Sequence, residues 1–189
     1  MTWDLPEKIE VGGRIYAVNA DYRDILDVIE QLDSPEDSQE INLFCAMAMF
    51  YEDFFSMPPN DYFQAAELMI WFINCGEEQQ GEEENKNIQK QIDWQQDGLI
   101  IAADINKVAG VDVRSLSFLH WWTFIAYFMG IGEGQLSTVV SIREKLRKGK
   151  PLDEWEKEYY IKNKSRVDLR KKYTAEELAQ IEKLNKKLN

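Results

Sequence analysis

The chain has 189 residues, 44% of them apolar and 30% charged, and carries a net charge of −12 from 22 Lys and Arg against 34 Asp and Glu. That length and composition suit a folded domain with a core of its own and exclude a low-complexity chain. The longest mostly apolar stretch, residues 118–131, contains His120 and is shorter than the roughly 18–20 residues a membrane span requires. The opening MTWDLPEKIE shows no basic segment leading into an apolar one, so no signal peptide is expected. Cys45 and Cys75 do not make a disulfide framework, and a reduced, cytoplasmic setting is expected.

The charge is unevenly spread. Residues 1–142 hold 7 Lys and Arg against 25 Asp and Glu, and residues 143–189 hold 15 against 9. An acidic body, 1–148, is therefore expected to carry a basic helical tail, 149–189. Such a body repels nucleic-acid phosphates and anionic membranes. The tail mixes Glu into its turns and lacks the clustered Arg of a phosphate reader. Neither nucleic acid nor a membrane is the expected partner.

In chain order, the N-terminus reads as a β-hairpin: KIEV and RIYAV alternate on either side of Gly12-Gly13, which can supply positive φ. Ile9, Val11, Ile15 and Ala17 are the candidates for its buried face. Asp21 is placed to cap a helix bearing Ile25, Val28, Ile29 and Leu32. Ser34-Pro35 reads as the start of a second helix, with Ile41, Phe44, Cys45, Ala48, Tyr51 and Phe55, ending before Pro58-Pro59. Asn60 and Asp61 open a third, with Phe63, Met69, Ile70 and Ile73, running to a stop at Gly76.

Residues 77–87, EEQQGEEENKN, read as an acidic linker. A long helix is expected after it, with Ile88, Ile92, Leu99, Ala102 and Ala103 on one face and a break at Gly110. Residues 115–129 are apolar nearly all round and read as the most buried helix. Another is expected over 135–148, with Leu136, Val139, Val140 and Leu146 inward. In the tail, Pro151 begins a helix with Asp153 and Glu154 in its first turn and Trp155 as anchor. Thr174 with Glu177 makes a capping box ahead of a narrow stripe of Leu178, Ile181, Leu184 and Leu188. The expected fold is mainly α: a bundle of about six to eight helices with a small N-terminal hairpin.

Candidate chemistry is sparse. His120 is the single histidine; it reads either as a general base or ligand, or as a hydrogen-bonded core residue, and the second reading is favoured. Zinc needs three or four ligands, and no metal site or cofactor is expected. Asp93, Asp97 and Asp104 fall at spacings of 4 and 7, which on one helix makes a stripe of carboxylates. Such a stripe can hold Mg²⁺ or do acid–base work, but on an acidic protein it reads first as a partner-facing side. Trp94, Trp121 and Trp122 read as core anchors, and both cysteines as small hydrophobes. No phosphate-binding loop, dinucleotide fingerprint or nucleophile elbow occurs, and no enzyme is expected.

Several segments, in order, carry a resemblance: Ile92-Asp93-Trp94-Gln95-Gln96-Asp97, Ile100-Ile101-Ala102-Ala103, Gly110-Val111-Asp112-Val113, Leu119-His120-Trp121-Trp122-Thr123-Phe124 and Ile142-Arg143. With the hairpin and Ala20-Asp21-Tyr22-Arg23-Asp24-Ile25-Leu26, they resemble a small tail-module protein family of long-tailed phages and prophages of Gram-positive bacteria. The resemblance covers roughly residues 8–146. Family members resemble products encoded between the tail-tube and tape-measure genes, where other phages encode a tail assembly chaperone.

The resemblance implies a protein that binds the tape-measure protein, keeps it soluble and helps recruit tail-tube protein, in the cytoplasm of the bacterial host and without catalysis. It supplies no catalytic residues. Trp94, His120, Trp121, Trp122 and Arg143 are expected to build the fold. Asp93, Asp97 and Asp104, with Leu178, Ile181 and Leu184, are expected to face a partner. A homo-oligomer is compatible with this. A tail completion component retained in the virion and an acidic DNA-mimic inhibitor are the alternatives. Removing residues 150–189 is expected to leave the body folded. His120→Ala is expected to lower stability by about 1–3 kcal/mol.

Overall fold

The structure, a computed structural model, describes residues 3–77 and 91–188. The expected linker therefore lies outside the described residues apart from Glu77, and so does Ile88. A hairpin, β1 (Lys8–Val11) and β2 (Arg14–Ala17), is followed by α1 (Tyr22–Leu32), α2 (Gln39–Phe50) and α3 (Tyr62–Ile73). After the linker come α4 (Gly98–Ala109), α5 (Trp121–Met129), α6 (Gln135–Arg147), α7 (Glu154–Lys162), the one-turn α8 (Lys164–Val167) and α9 (Ala175–Leu188). The mainly α class with an N-terminal hairpin is as expected. The chain divides into two compact units, one of Met1–Glu78 with Lys171–Asn189 and one of Gln79–Arg170.

In the first unit the Gly12-Gly13 turn has φ of 58° and 76°, as a two-residue hairpin loop requires. The register pairs Ile9 with Tyr16 and Val11 with Arg14. A two-residue loop pairs odd positions with even ones, so the face of Ile9 and Val11 continues through Tyr16, not Ile15. Ile9, Val11 and Tyr16 are buried, whereas Ile15 is exposed and Ala17 half-buried; expecting Ile15 and Ala17 on that face was an error of parity. Gly12 also tolerates a close approach from α3's leading turn. A Cβ there would lie 2.4 Å from the Asp61 carboxylate, and the Gly12 N–H donates to Gln64 Oε1 at 3.0 Å.

Asp21 caps α1, accepting from Arg23 N–H at 3.0 Å. The second helix starts later than expected, at a Ser38 cap rather than at Ser34-Pro35. The buried Asn42 amide donates to the Ser34 carbonyl at 2.7 Å and accepts from Gln31 at 3.1 Å, which holds the preceding loop off the helix. The helix also ends early, because Tyr51 turns extended and bridges Val18. Ala46, Met47 and Phe50 are its buried apolar residues, while Ile41, Phe44 and Phe55 are exposed. Fully buried Phe50 meets Tyr51 and Phe72 edge-to-face at 4.7 and 5.2 Å; truncating such a ring costs about 3–5 kcal/mol. In α3 the buried side chains are Ala65, Met69 and Phe72, and Phe63 is exposed. Its end is a left-handed pair, Cys75 and Gly76 (φ 56° and 79°), with Gly76 N–H bonded back to Trp71 O at 2.9 Å, a Schellman-type stop.

In the second unit α4 begins only at Gly98, later than expected, because residues 93–97 form a turn held by their own carboxylates. Its inward apolar residues are Ile100, Ile101, Ala102 and Ile105; of the expected face Ala102 is buried, whereas Leu99 and Ala103 point to solvent. Gly110, left-handed at φ 70°, ends the helix. The apolar run expected as one helix over 115–129 is a helix only from Trp121, with Trp121 and Phe124 buried and Met129 exposed. Leu136, Val139, Ile142 and Arg143 form the buried side of α6, with Val140 half-buried and Leu146 exposed. The residues that follow are no loose tail up to Arg170: Val167 is buried and packs in the same unit. Trp155 is exposed, and Glu156 is the buried residue of α7. No described helix is long and apolar enough to cross a membrane.

Candidate functional site

Two of the motif residues of the second unit, Asp97 and Arg143, are paired directly. The Arg143 guanidinium has five N–H donors, and each has an acceptor. Nε donates to Val167 O at 2.7 Å. One terminal nitrogen donates to Gln91 O at 2.8 Å and Asp97 Oδ2 at 2.6 Å. The other donates to Asp97 Oδ1 at 2.9 Å and Arg166 O at 2.7 Å. Arg143 and Asp97 are 5% and 1% exposed, so the pair is desolvated and its value lies in its geometry. Asp97 Oδ2 also accepts from Asp93 N–H at 3.0 Å.

Asp93 and Gln96 extend this hub. Asp93 Oδ1 accepts from the N–H groups of Gln95 and Gln96 at 3.0 and 2.8 Å, folding the turn that presents Asp97. The Gln96 amide donates to Asp168 O at 2.8 Å and accepts from Arg170 N–H at 2.9 Å. Trp94, half-buried, lies against Phe128, Trp121 and Phe124 at 5.0, 6.1 and 6.2 Å. His120 is buried and caps α5, its Nδ1 accepting from Trp122 N–H at 3.1 Å. The Trp122 ring meets it edge-to-face at 6.0 Å.

Asp104 projects from α4 to the start of α6 and accepts from Leu136 N–H at 3.0 Å and Lys107 Nζ at 2.6 Å. A Cβ on Gly134 would lie 2.5 Å from this carboxylate, so only glycine lets Asp104 reach the helix end. The three carboxylates thus form no single stripe: Asp93 and Asp97 precede the helix, and Asp97 and Asp104 are buried. Each carboxylate is engaged by backbone N–H groups, and none of the three lies free on a surface.

Sequence reasoning missed the roles of three residues here, Glu156, Lys145 and Gln96. Glu156 accepts from Lys145 Nζ at 2.6 Å and from Asp153 N–H at 2.8 Å. Its hydrogen bond, then that of Asp153, holds the Lys145 ammonium above its ordinary range. The signal was available, since Asp153 and Glu156 have capping-box spacing. Gln96, the third, shows no such signal, because its partners lie about 70 residues away.

The other candidates lie on α9. Thr174 and Glu177 exchange their capping bonds at 2.8 and 3.1 Å, as the sequence led one to expect. Every described side chain of α9 is exposed, Ile181 and Leu184 among them at 36% and 58%. The side chain of Leu178 falls outside the described residues. The segment leading into α9 is seated in the first unit, where Lys172 and Tyr173 line a cleft with Glu30, Ser34, Pro35 and Glu36. Among the described residues no group of three or more His, Cys, Asp and Glu side chains is placed to hold a metal ion.

Compared with known protein families, the chain matches the family described as Bacteriophage Gp15 protein over residues 1–169. That span takes in the hairpin, the Arg143 hub and α8, and ends before α9. No curated protein and no solved structure matches the chain.

Proposed function

We propose a role in tail assembly for this chain, which belongs to the bacteriophage Gp15 protein family. In this reading it is a non-catalytic chaperone of a tail module from a long-tailed phage of Gram-positive bacteria. It acts in the host cytoplasm, binding the tape-measure protein and helping to bring it to tail-tube protein.

The observation that carries the reading is α9. A capped helix of 14 residues is of marginal stability in water by itself, yet every described side chain on it is exposed. Ile181 and Leu184 lie three apart, at the spacing with which one helix lays an apolar seam on another. A tape-measure protein, long and helical, offers such seams and aggregates if they are left bare. The chain's charge of −12 favours keeping a complex in solution.

Co-expression with the neighbouring tape-measure gene product tests this. The expected result is soluble co-purification of a partner that is insoluble alone. A tape-measure protein that stays insoluble, with this chain recovered from mature particles instead, overturns the chaperone reading in favour of a structural tail component.

A further inference from the structure

The first unit carries exposed aromatic side chains on α2 and just after it. Phe44 of α2 meets Phe54 at 5.1 Å and Tyr62 at 6.1 Å. Phe54 stacks on Tyr62 at 5.0 Å and meets Phe55 at 5.5 Å. Phe54 is buried and supports the others, while Phe44 and Phe55 are 40% and 81% exposed. Ile41, one turn before Phe44 on α2, is 49% exposed. Phe44, Phe55 and Tyr62 are thus gathered around the buried Phe54 ring, and exposed apolar side chains grouped in this way mark a contact site on a folded protein.

Its electrostatics select the occupant. No Lys or Arg occurs between Arg23 and Lys86. Glu40, one turn before Phe44, and Glu52 and Asp53, just ahead of Phe54, are exposed and take part in no ion pair among the described residues. The Glu40 carboxyl is held below its ordinary range by hydrogen bonds from its own backbone N–H and from Ser38. The face is thus aromatic at its centre and anionic at its edge. Anionic lipid is repelled by it, and an acidic helix is as well. Exposed aromatic rings and ionised carboxylates together attract Lys and Arg, through cation–π contact and charge, on a segment that also has side chains to bury.

We infer that the face of Ile41, Phe44, Phe55 and Tyr62 docks a cationic amphipathic helix of a partner protein. Helix-in-groove recognition of this kind is read by apolar anchors along one helix side, and the anionic rim fixes the sign of the flanking charges. The inference does not depend on the partner being a tape-measure protein, nor on α9.

The test uses the full chain and a fluorescently labelled peptide of about 18 residues, built of Leu and Lys in helical period and long enough to hold a helix on a surface. A Leu and Glu counterpart and anionic vesicles serve as comparisons. Saturable binding of the Lys peptide is expected, weakening as salt rises toward 1 M, where the screening length falls to about 3 Å. Phe55→Ser and Asp53→Lys, both at exposed positions, are each expected to weaken it about tenfold, as loss of an anchor does, with an unchanged melting temperature. Equal binding by these variants, equal binding of the Glu peptide, or preference for anionic vesicles overturns the inference. So does concentration-dependent self-association that Phe55→Ser abolishes, which assigns the face to a second copy.

Discussion

Arg143 and Asp97, 46 positions apart in the chain, form a bidentate ion pair at 2.6 and 2.9 Å. The remaining guanidinium donors hold the carbonyls of Gln91, Arg166 and Val167. One side chain thus ties α6 to the turn before α4 and to the last turn of the unit. Arg143→Met is expected to destabilise this unit by about 3–5 kcal/mol, because it leaves Asp97 buried without its partner. Arg143→Lys is expected to recover only part of that, having three donors for five acceptors. Urea unfolding followed by Trp fluorescence measures both. A loss below about 1 kcal/mol, typical of a surface pair, contradicts this account of the hub.

Gly134 and Asp104 are coupled in a different way. Gly134→Ala is expected to cost about 1–3 kcal/mol, the range for forcing atoms into a filled space. Asp104→Ala relieves that collision but leaves the Leu136 N–H uncapped, at about 0.5–2 kcal/mol. The double variant is expected to be less destabilised than the two single losses combined, as for residues in contact. Strict additivity in a thermal-melt cycle speaks against the close approach.

These pairs also mark where the sequence was legible. The hairpin turn, the Asp21 cap, the Gly76 and Gly110 stops and the Thr174–Glu177 box all rest on local chemistry within a few residues, and each is found as expected. Features set by distant partners were not legible. Tyr51 leaves α2 to pair with Val18, and Asp97 turns inward because Arg143 waits there. His120 is the hydrogen-bonded buried residue that the favoured reading expects, but its capping of α5, which interrupts the apolar run, was not foreseen. The Ile15 error was avoidable, since the two-residue turn alone dictates which strand positions face each other.

Cys75 gives a pH-dependent readout in the first unit. Burial, with a smaller effect from Glu77, pushes its thiol up to about 11 from an ordinary value of 9.0. The folded state therefore keeps a proton that the unfolded chain releases more readily. Its contribution to stability is present below pH 9 and is lost as the pH rises through about 11. Alkylation of Cys75 in a Cys45→Ser background is expected to be slow at pH 8 and to rise with a midpoint near 11. A midpoint at the ordinary thiol value refutes that burial effect.

Two truncations separate fold from tail. A chain ending at Arg170 keeps Val167 and all the acceptors of Arg143, and is expected to retain both units by circular dichroism. One ending at Lys148 loses Val167 O and Arg166 O, and is expected to melt well below the full chain. This departs from the sequence reading, in which residues 150–189 were dispensable for folding. Equal melting of the two truncated chains restores that reading.

The proposed division of labour places Arg143, Asp97, Trp94 and His120 in the scaffold and Ile181 and Leu184 at the partner. The direct test is co-purification of the tape-measure protein with the Ile181→Glu/Leu184→Glu variant, alongside its melting curve. Loss of the partner with an unchanged melting temperature is the expected result, because these side chains are exposed. Undiminished co-purification shows that α9 is not the binding element and contradicts the proposal.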